Sequence, residues 1–405
     1  MSVRQQTVIQ RLRVKNYRSL VDVDLTFDRI MVLVGANGSG KSNLIDVLKF
    51  VRDVMVRDLD DAIVARGGIA SLRRWSSKGA PDLSIQIDLI DPYWKGEYGF
   101  TIGSGRNGDW RVKSESMKIV PTESADSIFD TYTPVSYQVK EGKIIGNIVG
   151  LGYFGDNLKL IGSNSILLIK TINILKISDA VGEIYKLLSD MSFYTIYPDH
   201  LRDPQKPGND YPLDERGQNL ASVLRRIQRK PHQDVHNTLV YALGRVVDGV
   251  TGYSVRQLGN VLVTQLHHAA AEEGRSGPAF DLSQESDGTL RMLGILTAIY
   301  QNPPRSLLVI EEPELTIHPG ALGVLCDVLK EAGARSQLVI TTHSPDLIDI
   351  FPEYVLRVVE KRDGVTYVGP VSSQQREVIA RKLFSPGELL RMEGLQLGSD
   401  LSTGR

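Results

Sequence analysis

Eight residues, Gly35-Ala36-Asn37-Gly38-Ser39-Gly40-Lys41-Ser42, fill every position of the pattern G-x-x-x-x-G-K-[ST]. Glycines at these places let successive backbone amides turn inward as an anion nest at the start of a helix. The Lys41 amine can reach β- and γ-phosphates, and the Ser42 hydroxyl can ligate Mg²⁺. The implied chemistry is the binding of ATP with Mg²⁺, with Asn37, Gly38, Ser39, Gly40, Lys41, Ser42 and the adjoining Asn43 as contact residues. A glycine-rich turn with an accidental lysine would look similar, but it would not need the flanks seen here. An apolar run ends at Val34, and an amphipathic stretch with Leu44, Ile45, Leu48 and Val51 follows.

A phosphate loop of this kind needs an acid on the metal side. Leu307-Leu308-Val309-Ile310-Glu311-Glu312-Pro313 reads as a buried strand ending in two carboxylates. We assign Glu311 to the metal side and Glu312 to the attacking water. A surface Glu-Glu pair is the bland alternative. His343 follows the next apolar run, in Val339-Ile340-Thr341-Thr342-His343-Ser344-Pro345, where it could meet a γ-phosphate or the water. A lone histidine is more often structural. Lys41 and Glu312 stand 271 residues apart, so a large segment lies between the two halves of one site.

The elements that must position these groups are legible as alternating patterns. Strands are expected at residues 7–15, 21–27, 29–34 and 83–89, and a helix at 42–58. Residues 92–160 read as a small β-rich lobe and 165–190 as helical. A helix is expected at 218–230, ended by Pro231, and a hairpin around Gly259-Asn260. Helices at 288–300 and 320–332 alternate with strands at 307–310 and 337–341, and strands at 353–359 and 366–368 close the pattern. Such alternation at both ends of the chain predicts an α/β fold with helices on the faces of a sheet.

The 405 residues exceed one small module, and 41% hydrophobic with 23% charged residues excludes a chain that is mostly disordered. A net charge of −1 excludes a globally basic nucleic-acid binder but not a local basic patch. With Cys326 as the single cysteine, a disulfide framework or multi-cysteine metal site is excluded. No apolar run reaches the ~20 residues needed to span a bilayer, so a cytoplasmic protein without membrane contact is expected.

The ordered set of motifs resembles ABC-type ATPases of the RecF/SMC/OLD branch, most closely the stand-alone bacterial RecF-like ATPases. Asn16-Tyr17-Arg18-Ser19 matches the branch's N-[FY]-[RK]-S, Gly35–Ser42 its Walker A motif, and Leu307–Pro313 its Walker B strand with a catalytic glutamate. Ser286-Asp287-Gly288-Thr289-Leu290-Arg291 is similar to its shortened signature. Glu314-Leu315 with His318-Pro319 fits the D-loop stretch, and Thr341–Pro345 the switch-histidine motif. Tyr197-Pro198, Arg202-Asp203-Pro204 and Gly217-Gln218-Asn219-Leu220 fit the narrower group. The resemblance adds Asn16, Arg18, Ser286 and Gly288 to the nucleotide contacts and names Glu312 and His343 as catalytic. There are departures. Glu285, Asp287 and Thr289 replace the Leu, first Gly and Gln of L-S-G-G-Q, and Glu311 replaces the usual aspartate. Gln86 is the nearest match to the Q-loop glutamine.

The resemblance implies an ABC-type P-loop head with a central mixed sheet flanked by helices, an inserted β-rich and helical lobe, and no long coiled coil. The expected division is 1–90 (first half of the head), 91–195 (inserted lobe), 196–280 (return segment), 281–360 (second half) and 361–405 (tail). It also implies a homodimer that sandwiches two ATP molecules, because the chain has one phosphate loop and one signature. Partners are DNA or an effector such as a nuclease or toxin, and the setting is DNA repair or anti-phage defence. The alternative is a slow-turnover, nucleotide-gated sensor that holds such an effector. Only 45 residues follow residue 360 and they lack clustered acids, so nuclease chemistry is expected from a partner. For DNA, Arg225, Arg226, Arg229 and Lys230 would form a basic helix face, and Arg66, Arg73, Arg74 and Lys78 a second cluster. A solvated helix face is the competing reading.

Overall fold

A computed structural model describes residues 7–74, 79, 81–104, 109–122, 134–141, 143–149, 166, 179–270 and 277–398. The strands are β1 (Val8–Tyr17), β2 (Leu20–Thr26), β3 (Ile30–Val34), β4 (Leu83–Ile90), β5 (Trp94–Ser104), β6 (Trp110–Pro121), β7 (Val135–Lys140) and β8 (Lys143–Val149). They continue with β9 (Ser192–Tyr194), β10 (Val250–Leu258), β11 (Val261–His268), β12 (Ala279–Asp281), β13 (Leu307–Glu311), β14 (Gln337–Thr342), β15 (Leu356–Arg362) and β16 (Val365–Gly369). A six-stranded sheet runs β16-β15-β3-β14-β13-β9, parallel except for β16. A seven-stranded antiparallel sheet runs β2-β1-β4-β5-β6-β7-β8, and β10-β11-β12 form a third.

The six-stranded sheet is covered on both faces, which is why its strands are nearly continuous apolar runs. Met31, Leu33, Leu307, Val309 and Val339 point into a core shared with helix Lys41–Val56 and the seven-stranded sheet. Val32, Val34, Leu308, Ile310, Leu338 and Ile340 point the other way, against helices Asp287–Tyr300 and Leu322–Arg335. The mixed sheet flanked by helices is therefore present. The interrupted alternation of residues 7–15 has a cause, since the β1–β4 register shifts between Ile9 and Arg11.

Three observations bear on the expected boundaries. Residue 90 lies between two paired strands. β4 pairs with both β1 and β5, so the first 90 residues and the start of the supposed insertion form one sheet. The segment expected as a C-terminal tail from residue 361 contains part of the six-stranded sheet. β15 and β16 lie beside the phosphate-loop strand, and helices Ser373–Ala380 and Pro386–Met392 follow. The helix expected at 165–190 is Asp179–Ser189, with residues 167–178 outside the described ones.

Several cations of the two basic clusters have side-chain partners, while Arg229 and Lys230 are exposed. The expected 218–230 helix is only Leu220–Ile227, so Arg229 and Lys230 lie beyond its end. Arg225 donates to Gln257 Oε1 at 3.0 Å, and Arg226 stacks on the Tyr211 ring at 4.8 Å with Asp210 at 3.8 Å. Arg66 donates to Asp46 at 3.1 Å and Asp53 at 2.9 Å, with its guanidinium over Phe50. Arg73 is buried near Ser104, and Lys78 lies outside the described residues. Breaking a buried ion pair by removing one partner costs about 3 kcal/mol, because the other charge is left uncompensated. We expect Arg66→Ala to lose on that order of stability, read as a lower midpoint in urea. An unchanged midpoint would return Arg66 to the surface cations.

Candidate functional site

Parallel pairing brings three strand ends together. β14 lies between β3 and β13, with Thr342 opposite Val34 and Thr341 opposite Glu311. The phosphate loop, the two glutamates and the switch segment therefore leave the same edge of the sheet. Asn37, Gly38, Ser39, Gly40, Lys41, Ser42, Asn43, Glu311, Glu312, Thr341 and Lys361 line one cavity of about 280 Å³.

Local geometry explains the loop. Gly40 has φ +109°, and a Cβ there would lie 2.1 Å from Thr366 Oγ1, so only glycine fits. Thr366 donates to Ser39 O at 3.0 Å and meets Ser19 Oγ at 2.7 Å, while Asn43 Nδ2 donates to that same Ser19 oxygen at 2.6 Å. β16, the β1–β2 turn and the loop are thus stitched together. No side chain caps helix Lys41–Val56, which leaves its first amides for an anion. Lys41 is buried, and its Nζ donates to Gly35 O at 2.5 Å and Ala36 O at 3.2 Å. Burial lowers its pKa, while Glu312, Glu314 and Glu311 push back.

The two glutamates differ. Glu311 ends β13 and accepts from Thr195 Oγ1 at 3.0 Å, and burial raises its pKa. Ser42 and Glu311 bring hydroxyl and carboxylate oxygens to one cavity, the donor set a hard divalent cation takes. Glu312 has φ +45°, a conformation costing about 1–3 kcal/mol. Its N–H donates to Thr341 O at 2.9 Å and Thr341 Oγ1 at 3.2 Å, and its Oε1 lies 3.2 Å from His343 Nδ1. His343 lines a second cavity of about 540 Å³, which shares Asn37, Gly38 and Ser39 with the first.

The other four residues expected at the nucleotide have the following places within this chain. Asn16 Nδ2 donates to Asp82 O at 2.9 Å, and Arg18 pairs with Asp46 at 3.0 Å. Ser286 caps helix Asp287–Tyr300, accepting from Thr289 N at 3.2 Å. A Cβ on Gly288 would meet Thr316 O at 2.8 Å, so that glycine allows close packing against the turn after Glu314. None of the four lines either cavity. Gln86 sits within β4 between Arg13 and Gly99.

The protein-family model described as "AAA domain, putative AbiEii toxin, Type IV TA system" matches residues 30–136 and 175–349. The chain belongs to this family. It is an ABC-type P-loop ATPase of the RecF/SMC/OLD-like kind. An OLD nuclease of Thermus scotoductus is 21% identical over 381 residues, covering 92% of this chain. The match spans 66% of that nuclease, just under two thirds of its length. Among solved structures, the Smc head bound to the C-winged helix domain of ScpA superposes with a TM-score of 0.51 at 13% identity. That match covers 91% of this chain and 99% of the Smc head, and it shows the fold.

Several residues in or beside this candidate site carry little local signal in the sequence. Thr195 follows a three-residue strand too short to read as a pattern. Lys361 and Thr366 were placed outside or at the margin of the head. Glu314, which the sequence offers only as part of the D-loop stretch, is buried and accepts from Thr342 Oγ1 at 2.5 Å, and burial raises its pKa. Arg291 closes the signature motif but carries no local sign of its role. Among the described residues no helix is long and apolar enough to cross a membrane.

Proposed function

We propose that this chain hydrolyses ATP with Mg²⁺ as an ATP-sandwiched homodimer whose opening and closing control DNA or an effector protein. The observation that carries the reading is the single cavity shared by Lys41, Ser42, Glu311 and Glu312, with His343 on Glu312 and Ser286 outside it. The amides of the loop and the Lys41 amine bind the phosphates; the lysine first leaves its two carbonyls. Ser42 and Glu311 would hold Mg²⁺, which when bound would supply charge neutralisation for the transferred phosphoryl group. Glu312 accepts the proton of the attacking water, and His343 orients that carboxylate. Ser286 of a second chain completes the site. DNA repair or anti-phage defence is the setting this chemistry fits, by analogy with the relatives.

One observation supports the slower, sensor-like alternative. Asp287 and Glu285 flank Ser286 with carboxylates, which oppose the approach of a phosphate. Arg202 pairs with Asp287, offsetting part of that charge, and donates to Glu285 O at 3.0 Å, while His268 meets Glu285 Oε1 at 2.8 Å.

Glu312→Gln keeps the side-chain shape and loses the basic oxygen. It should bind ATP and accumulate as dimer while turning over ~10²–10⁴-fold more slowly. Near-normal turnover would move the base to another residue. A second experiment mixes two chains that are inactive alone, Lys41→Ala, which should not bind ATP, and Ser286→Arg. In the mixed dimer one composite site is intact, so ATPase activity should return. Its absence, with the heterodimer shown by native mass spectrometry, would argue against completion by a second chain.

A further inference from the structure

We infer that Arg291 is a positioning residue that ties the helix carrying Ser286 to the backbone of Glu312 in the same chain. The inference rests on the proposed function and adds how closure on one nucleotide is felt at the other.

Arg291 lies in helix Asp287–Tyr300 and is 3% exposed. Its Nη1 donates to Ile196 O at 2.6 Å, and its Nη2 to Glu312 O at 2.7 Å and Glu311 O at 3.3 Å. It lines neither cavity beside the phosphate loop. Glu312 is thereby held at both of its backbone groups, its N–H by Thr341 and its carbonyl by Arg291. A residue at φ +45° persists only where its surroundings fix it, so these two anchors set where its carboxylate points. The same helix begins at Ser286 and packs through Gly288 on Thr316 O. In the proposed dimer Ser286 faces the partner's nucleotide while Arg291 faces its own chain's Glu312. A shift of the helix on meeting a γ-phosphate in one site would move the glutamate peptide of the other. The planar fork of arginine spans two carbonyl groups at once, which a lysine ammonium on the same stem does not reproduce.

The test separates this role from help in folding the signature. For Arg291→Lys and Arg291→Ala, measure affinity for a non-hydrolysable ATP analogue and the single-turnover rate. Affinity should stay within about threefold of wild type while the rate falls by on the order of 10²-fold for alanine, with lysine between. An unchanged rate at unchanged affinity overturns the inference. Then mix Arg291→Ala with Lys41→Ala, beside the Ser286→Arg and Lys41→Ala mixture. Because Arg291 serves Glu312 in its own chain, the first mixture should stay inactive while the second recovers. Recovery in both would place Arg291 with Ser286 as acting only across the dimer, and the inference fails. Recovery in neither removes the dimer reading, and Arg291 is then judged on the single-turnover rate of Arg291→Lys alone. If circular dichroism shows Arg291→Ala unfolded, Arg291→Lys replaces it in the mixture.

Discussion

β14 pairs in parallel with β3 on one side and β13 on the other, and those two ladders carry the site. They join segments 271 residues apart, placing Lys41 and Glu312 on one cavity. The pairing is held by apolar side chains on both faces, each contributing about 1.5–3 kcal/mol when fully buried. Glu312, by contrast, spends only about 1–3 kcal/mol on its left-handed backbone. Two or three such buried side chains outweigh that strain. The sheet therefore fixes the turn after β13, and the polar groups are fitted to it.

A second layer of contacts turns adjacency into a shaped site. Thr366, Ser19 and Asn43 bind the phosphate loop to β16 and to the β1–β2 turn. Thr195 holds the Glu311 carboxylate, Thr341 the Glu312 amide and Arg291 the Glu312 carbonyl. Thr342 meets Glu314 and also accepts from Ser344 N at 2.9 Å, coupling the turn after β13 to the switch segment. Movement of the switch or signature segments would then reach the glutamates through short, buried hydrogen bonds.

Local chemistry made part of this legible from the sequence. Gly40 and Lys41 read as a phosphate loop because strand, loop and helix are consecutive. Glu311, Glu312 and His343 read as a site because each ends an apolar run. What was not legible depends on pairing between distant residues. β4 looks like the end of a domain until its partners are known to be β1 and β5. Arg225 and Arg226 read as a basic face, and spacing could not show that Gln257 and Tyr211 lie against them. Asn16 and Arg18 match a nucleotide-associated motif, yet their side chains secure Asp82 and helix Lys41–Val56 through Asp46. Ser286 and Gly288 fit the motif, and in the proposed dimer Ser286 would face another chain.

The central claim is that one chain carries the phosphate loop, base and switch while a second completes the site. The most direct measurement is the single-turnover ATP hydrolysis rate per chain across protein concentration, followed beside molecular mass by light scattering. The account predicts a rate that rises with concentration and levels off as the dimer saturates. A rate per chain that stays constant while the protein remains monomeric would contradict it.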